Sequence, residues 1–475
     1  MLEQSPTHHS LRLRQHHRFD VDGRSYVYDV GELLLYEIDA PTATFLDGAA
    51  EGGTAWDRLG TEHGTEAAME ILEDLRMLNL LEVERTEAPA SAPRKPSIGT
   101  IALHVAHDCN LRCPYCFAKQ GDYGMPKTMM KPDMVEKALD WLIDRGSDRG
   151  AVRVKFFGGE PLMNMPAIRH AVAYGDQRSA EKGKRVRYHV TTNGTLLKDE
   201  TIQFLHAHQV DVQVSIDGTP EAHDKVRIFP SGRGSHDIVT RRAERLGQLT
   251  GQCATRTTIT PEEPRFSDSV WHMIDALGSS NAAFEPATSS SEGQHLDSER
   301  LAIIKREWER VAEEFLRRVR GGEVPPVANL IKLLGKIHRR QKTVYGCGAG
   351  LAYLAVDPRG DVYPCHRFVG NAEWKMGNVA GEINEATREK FLQNTVHNRE
   401  PCRSCWVRYT CGGHCAHEAL EATGDIARPD PVRCELQKHL TEVCLRLYVR
   451  LTRDELERIL AGPSGRRPPA IGAQE

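Results

Sequence analysis

The chain reads as an α/β protein: an open barrel of six β/α units, a partial TIM barrel, with a small mixed domain before it and a cysteine-rich domain after it. Three observations predict this. Apolar, strand-like runs alternate with helical stretches from residue 99 to about 290. A stretch rich in Pro, Ala and Ser at residues 86–98 sets them apart from an N-terminal block. Cysteines crowd together beyond residue 341, where strand and helix signals weaken.

In chain order, residues 1–16 are polar and His-rich and read as loose. Residues 17–85 read as a small domain. FDVDGRSYVYDVG alternates apolar and polar positions around Asp22-Gly23, the pattern of a hairpin. TEAAMEILEDLRMLNLLEVE reads as an amphipathic helix running into a short strand. After the linker come the runs IALHVAH, VRVKFFGGE, VRYHVTTNG, VDVQVSIDG, CATRTTIT and AAFEPA, with helices such as PDMVEKALDWLIDRG and DETIQFLHAH between them. Repeated β–α units imply parallel strands with crossover helices, and in such barrels chemistry sits at the C-terminal ends of the strands. Residues 291–340 read as a charged helical bridge, 341–450 as the cysteine-rich domain, and 451–475 as a helix and a disordered tail.

The composition excludes several classes. Of 475 residues, 40% are hydrophobic and 27% charged, with a net charge of −4, so the basic excess of a general nucleic-acid binder is missing. No run approaches the ~20 apolar residues of a membrane helix, and the N-terminus lacks the apolar core of a signal peptide. A cytoplasmic location is expected. In a reducing compartment the 12 cysteines are poor candidates for structural disulfides, which leaves metal or cluster ligation.

Residues 107–118 read HDCNLRCPYCFA and place Cys109, Cys113 and Cys116 in a C-x3-C-x2-C pattern, directly after the first barrel strand. Three thiolates can hold three irons of a [4Fe–4S] cube and leave the fourth open. The alternative is a zinc site, which would pair one C-x2-C with a second. No second pair follows within the barrel. Gly158-Gly159-Glu160-Pro161 ends the second strand, Thr191-Thr192-Asn193-Gly194 the third, and Ser215-Ile216-Asp217-Gly218 the fourth. Beyond the barrel, Cys347, Gly360, Cys365, Cys402, Cys405, Cys411, Cys415 and Cys434 form C-x12-G-x4-C, then C-x2-C-x5-C-x3-C, then a last cysteine.

The first pattern resembles the radical S-adenosylmethionine (SAM) superfamily, and the second the SPASM extension of its peptide-modifying members. The resemblance implies three [4Fe–4S] clusters. Cys109, Cys113 and Cys116 would hold the catalytic one. Cys402, Cys405, Cys411 and Cys434 would hold a distal auxiliary cluster, and Cys347, Cys365 and Cys415 a nearer one with a fourth ligand unassigned. It also implies SAM contacts: Gly158, Gly159 and Glu160 toward the methionine amino group, Asn193 beside them, Ser215 on the ribose, Arg227 on the carboxylate and Tyr115 near the adenine. Sulfatase-maturing relatives supply an eighth cysteine just upstream of Cys347, where this chain has KIHRRQKTVYG.

The stretches CGAGLAYLAVDPRGDVYPCHRFVG, KMGNV and CRSCWVRYTCGGHCAHEA resemble maturases that form thioether bonds, among them ranthipeptide maturases and those acting on the small subunit of quinohemoprotein amine dehydrogenase. That branch implies a bond between Cys sulfur and a side-chain methylene of Asp or Glu in a peptide or small protein. It also implies an external electron donor and a winged-helix-like N-terminal domain for the substrate. The acidic residues Asp20, Asp22, Asp29, Glu32, Glu37 and Asp39 disfavour DNA there. Asp237 and His366 are candidate bases for the thiol proton, with Asp237 equally readable as a helix-capping residue. A sactipeptide maturase, a sulfatase-type maturase and a non-catalytic iron–sulfur carrier or peptide scaffold are the competing readings. Cys253 and Cys444 have no assigned role, and Cys253 reads as a small core residue.

Overall fold

The computed structural model describes residues 12–50, 64–82, 95–146, 150–287 and 296–462. The loose start, most of the linker and the expected C-terminal tail lie outside them, apart from residues 12–16. There Arg12–Leu13 (β1) already forms a strand, followed by β2 (His16–Val21), β3 (Arg24–Asp29) and β4 (Leu34–Ile38). Strands β2, β3 and β4 form an antiparallel sheet with β3 in the middle. Asp22 and Gly23 both have positive φ at the β2–β3 turn, the conformation a two-residue hairpin needs. Helices α1 (Ala40–Ala50) and α2 (Gly64–Met77) follow, and β5 (Leu81–Glu82) pairs back onto β1. Leu72, Leu75, Phe45, Leu46 and Val27 form this domain's own core.

The six expected strands are all present: β6 (Thr100–His107), β8 (Ala151–Gly158), β9 (Arg185–Thr192), β10 (Val210–Ser215), β11 (Ala254–Ile259) and β12 (Asn281–Pro286), with a short antiparallel β7 (Thr128–Met129) on β6. The six run parallel in the order β6-β8-β9-β10-β11-β12, so each pairs with its sequence neighbour, as in a singly wound barrel. The crossovers include α3 (Pro132–Arg145), α4 (Met165–Lys182), α5 (Asp199–Ala207), α6 (Pro220–Val226), α7 (His236–Thr250) and α8 (Ser267–Trp271). Alternation fixes which side chains face inward. On β8, Val154 and Phe156 are buried against the helices, which turns Arg153, Lys155 and Phe157 to the lumen. On β11, Thr255 and Thr257 are buried outward, which turns Arg256 and Thr258 inward.

Both open edges of the barrel are covered, as edges must be to avoid adventitious pairing. On one side the bridge helices α9 (Ser298–Arg320) and α10 (Ala328–His338) bring Asn329, whose amide exchanges two hydrogen bonds with the Phe284 backbone of β12, at 2.9 and 2.8 Å. On the other, β13 (Tyr353–Val356) of the cysteine-rich segment pairs parallel with β6 and extends the sheet, followed by antiparallel β14 (Asp361–Tyr363) and β15 (Gly377–Asn378). The sequence reading placed no strand there, although LAYLAV carries a strand-like run. Helices α11 (Glu385–Leu392), α12 (Arg408–Cys411), α13 (Ala416–Thr423), α14 (Pro431–Arg450) and α15 (Arg453–Ala461) complete the chain. The N-terminal sheet docks here: the His17 ring stacks on Trp406 at 3.6 Å, and His17 Nε2 lies 3.2 Å from Glu442 of α14.

Candidate active site and thiol clusters

The first thiol set lies on the loop after β6. Its position is fixed by β8 and β9. Gly158 has φ +134°, and a Cβ there would sit on the Ala106 carbonyl oxygen. A Cβ on Gly159 would sit on the Asp108 carbonyl oxygen. The Gly159 and Glu160 amides donate to Ala106 and Asp108 at 2.8 Å each. The two glycines therefore let the GGEP turn lie against the cysteine loop, a closer approach than any other residue permits. The sequence reading gave that closeness to a ligand; here it is to the protein's own backbone.

Glu160 is fully buried. Its carboxylate accepts from Leu162 N (3.0 Å), Thr192 Oγ1 (2.7 Å) and Asn193 N (2.7 Å), tying β8 to the end of β9. Burial pushes its pKa up to about 7 against these hydrogen bonds. Asn193 Nδ2 reaches Asn110 Oδ1 at 2.9 Å and Cys109 Sγ at 3.7 Å. The loop's amides do the rest: Leu111 N approaches Cys109 Sγ at 3.4 Å.

Arg227 and Tyr115 meet on one carboxylate. Arg227 donates from Nε and Nη2 to both oxygens of Asp217, at 2.8 and 3.2 Å, with side chains only 9% and 3% exposed. Tyr115 is buried and donates its hydroxyl to the same carboxylate at 2.5 Å. This is a closed ion pair that props the wall behind Cys113, because a buried carboxylate takes the nearest matching guanidinium fork. Arg256 was missed by sequence reasoning. It is the Cα register partner of Ser215, faces the lumen, and makes no ion pair among the described residues. An inward charged residue on a barrel strand was the available signal. Ser215 itself is partly exposed at the C-terminal end of β10.

The remaining thiols fall into two sets, seen in which thiols raise one another's pKa after burial has done so. Cys365 is buried and pushed up by that burial and then by Cys415 and Cys347, whereas Cys347 itself is exposed. Cys434 is pushed to about 12 by burial, then by Cys411, Cys402 and Cys405. Cys253 and Cys444 are buried in the main core and respond to burial alone, with no thiol neighbour. Among the described residues no three Cys, His, Asp or Glu side chains converge on a single metal ion.

Each set has buried cations beside it. Arg399 is 2% exposed and donates only to carbonyls, of Gly413, Ala427 and Ile426. Burial works against its charge, and the Cys402, Cys411 and Cys434 thiols lead the groups that favour it. A buried guanidinium facing thiols suits an anionic thiolate-bound cluster, which would compensate it. At the nearer set, Glu418 accepts from Arg433 (3.0 Å) and Arg367 (3.2 Å), and Arg433 reaches Glu285 of β12 at 3.4 Å. That chain links the cysteine-rich segment to the barrel.

The two candidate bases separate. The Asp237 side chain is 96% exposed in the first turn of α7 and pairs with Arg241 at 3.5 Å. It sits as a surface residue that complements a helix N-terminus. His366 is enclosed by Phe157 and Phe117, its Nδ1 lies 2.7 Å from Tyr353 Oη, and burial holds it well below its ordinary pKa.

The candidate site is thus a parallel β/α barrel with a cysteine loop at the C-terminal end of its first strand and a cysteine-rich segment paired onto its edge. Residues 103–275 match the Radical SAM superfamily, and residues 347–406 match SPASM, an iron–sulfur cluster-binding domain. The chain is a radical SAM enzyme with a SPASM domain. It is 28% identical over 359 residues to an uncharacterized protein of Archaeoglobus fulgidus, covering 72% of this chain and 80% of that one. It is 26% identical over 373 residues to the serine-type anaerobic sulfatase-maturating enzyme of Klebsiella aerogenes (74% and 87%). It is 26% identical over 361 residues to the PqqA peptide cyclase of Streptomyces rochei (72% and 92%). The same fold occurs in native anSMEcpe with bound AdoMet (TM-score 0.63, 18% identity, 74% and 98% covered). It also occurs in Streptococcus suis SuiB bound to its precursor peptide SuiA (TM-score 0.51, 15%, 86% and 96%). Among the described residues no helix is long and apolar enough to cross a membrane.

Proposed function

We propose that this enzyme modifies a peptide or small protein by forming thioether bonds between Cys sulfur and a side-chain methylene of Asp or Glu, with the quinohemoprotein amine dehydrogenase small subunit as the candidate substrate. The observation that carries this reading is the nearer thiol set. It has three cysteines, Cys347, Cys365 and Cys415, and it borders the lumen through His366, next to Cys365, whose ring packs 4.6 Å from lumen-facing Phe157 and whose Nδ1 lies 2.7 Å from Tyr353 Oη. A three-thiol site beside the reaction chamber suits capture of a substrate sulfur as the fourth ligand.

In this reading Cys109, Cys113 and Cys116 would hold the catalytic cluster, the nearer three and the distal four cysteines two auxiliary clusters, and residues at the strand ends S-adenosylmethionine. When bound and reduced, these groups supply a 5′-deoxyadenosyl radical able to take hydrogen from an unactivated CH2. The chain's own residues orient and enclose. Glu160 would serve the amino group, Ser215 the ribose, and Arg227 or the lumen-facing Arg256 the methionine carboxylate. His366, held neutral, is the base candidate that remains beside Cys365. The N-terminal sheet receives the peptide along β4, the edge strand left when β2 packs on α14, by strand addition.

A second reading, oxidation of Cys or Ser to an aldehyde as the names of the sulfatase-maturating relatives imply, is favoured by their similarity and opposed by the absent cysteine upstream of Cys347. Intact-mass analysis after anaerobic turnover separates them. A thioether removes two hydrogens per bond and one alkylatable thiol, whereas an aldehyde captures a hydrazide. An aldehyde product, or an unchanged peptide alongside 5′-deoxyadenosine release, would reject the thioether assignment.

A further inference from the structure

We propose that Lys155 is a specificity-determining residue that binds the side-chain carboxylate of the substrate inside the barrel lumen, between the S-adenosylmethionine site and the nearer thiol set. The inference deepens the maturase reading and rests on it.

Lys155 points inward from β8, between Ala102 of β6 and His189 of β9 in register. Its ammonium lies 5.3 Å above the Tyr353 ring and makes no ion pair among the described residues. Most other cations of the lumen lie in the field of a carboxylate. Arg153 and Arg187 are the cations acting on Asp211 at the bottom of the lumen. Arg433 and Arg367 share Glu418, and Glu285 serves Arg433 and acts on Arg256. Arg256 and Lys155 both lack an ion pair among the described residues, but Glu285 and Glu418 favour the charge of Arg256 and no carboxylate favours that of Lys155. Burial and the nearby Arg153 and Arg256 all work against its charge, and the one group favouring it is Cys347. A half-buried ammonium kept in such company needs an anion delivered to it. A peptide whose Cys sulfur sits at the nearer thiol set brings its neighbouring acidic side chain to this depth. An Asp or Glu held by its carboxylate presents its methylene toward the strand ends, which explains selection of a residue next to a carboxylate.

Two other sources of the anion make different predictions. The methionine carboxylate of S-adenosylmethionine would be served by Arg256, the register partner of Ser215, or by Arg227. A cluster on Cys347 would itself be anionic. The test uses reconstituted, anaerobic full-length enzyme, wild type, Lys155→Met and Lys155→Arg, with a fluorescently labelled Cys- and Asp-containing peptide of the candidate small subunit and its Asp→Asn version. Fluorescence anisotropy reads binding, and intact mass reads bond formation. The expected result is that Lys155→Met weakens binding of the Asp peptide by roughly tenfold to a hundredfold, the range of a charge-assisted hydrogen bond. The wild type loses the same factor with the Asn peptide, and the two changes together lose no more than either alone. Lys155→Arg restores part of the affinity. Iron content, the electron paramagnetic resonance spectra and peptide-independent 5′-deoxyadenosine release stay at wild-type levels. Equal binding of the Asp and Asn peptides by wild type overturns the proposal. So does a Lys155→Met enzyme with altered cluster spectra, or weaker S-adenosylmethionine binding, at unchanged peptide affinity. If the Asp peptide is preferred yet no thioether forms, the maturase reading fails while the carboxylate subsite stands.

Discussion

The barrel's thiol set and the distal set solve one problem in opposite ways. Cys109, Cys113 and Cys116 sit within eight residues, and they are held by backbone: two glycines laid against the loop, loop amides toward sulfur, and Asn193 reaching across from β9. Cys402, Cys405, Cys411 and Cys434 span more than thirty residues and rely on a buried cation, Arg399, and on the packing of α14. The first arrangement suits a site that must stay partly open to a substrate. The second suits a site that only has to persist. Disturbing the first should remove chemistry, and disturbing the second should remove stability.

The sharpest break of that contrast is Cys109→Ala. It should lower 5′-deoxyadenosine release to background, at least about a thousandfold, while leaving thermal unfolding of the rest of the chain nearly unchanged. Cys402→Ala should do the reverse, lowering iron content and melting temperature before it lowers peptide-independent 5′-deoxyadenosine release. If both variants lose activity and stability alike, the two sets are not separable.

Arg433→Met comes next. It removes the guanidinium that joins Glu418 to Glu285, leaving a buried carboxylate with Arg367 as its remaining close guanidinium. Breaking a buried pair from one side costs about 3–5 kcal/mol, so a denaturant titration should show a loss of that order. A simultaneous Glu418→Gln should recover part of it.

Glu160 gives a pH dependence of similar size. Its pKa in the folded chain, about 7, lies above its ordinary value, so the folded state favours the protonated form. That contribution is complete below about pH 4.5 and is lost as pH rises through 7, amounting to roughly 3 kcal/mol. Apo-protein unfolding measured from pH 5 to pH 8 should show this decline, and Glu160→Gln should flatten it. Bound S-adenosylmethionine, with its ammonium, should reduce the slope in the wild type.

Much of this was legible in the chain. The six strands were visible as short apolar or alternating runs between helical stretches, and the cysteine spacings separated the barrel set from the later array. What the spacings did not carry was who faces whom. Arg227 stands where a carboxylate-binding cation was expected, but Asp217, ten residues earlier, claims it through a turn whose geometry no spacing states. Arg256 and Lys155 looked like ordinary alternating strand residues until the fold placed one beside Ser215 and the other over the Tyr353 ring. The seventh parallel strand, β13, was hidden because its partner β6 lies some 250 residues away.

Asp237 marks the small end of the scale. In the sequence it shared a role with His366 as a candidate base; in the structure the two could hardly differ more. His366 is enclosed by aromatic rings and bonded to Tyr353, whereas Asp237 is solvated at a helix start with Arg241 one turn on. An exposed i,i+4 pair contributes about 0.3–0.5 kcal/mol, and an acidic residue at a helix N-terminus a similar amount. Asp237→Asn should therefore shift stability by less than about 1 kcal/mol and leave product formation per 5′-deoxyadenosine at the wild-type ratio. His366→Phe, which keeps an aromatic ring in the same enclosure, should lower that ratio while radical generation continues. A fall in the ratio for Asp237→Asn would return the base to the surface of α7 and require the substrate to reach it there.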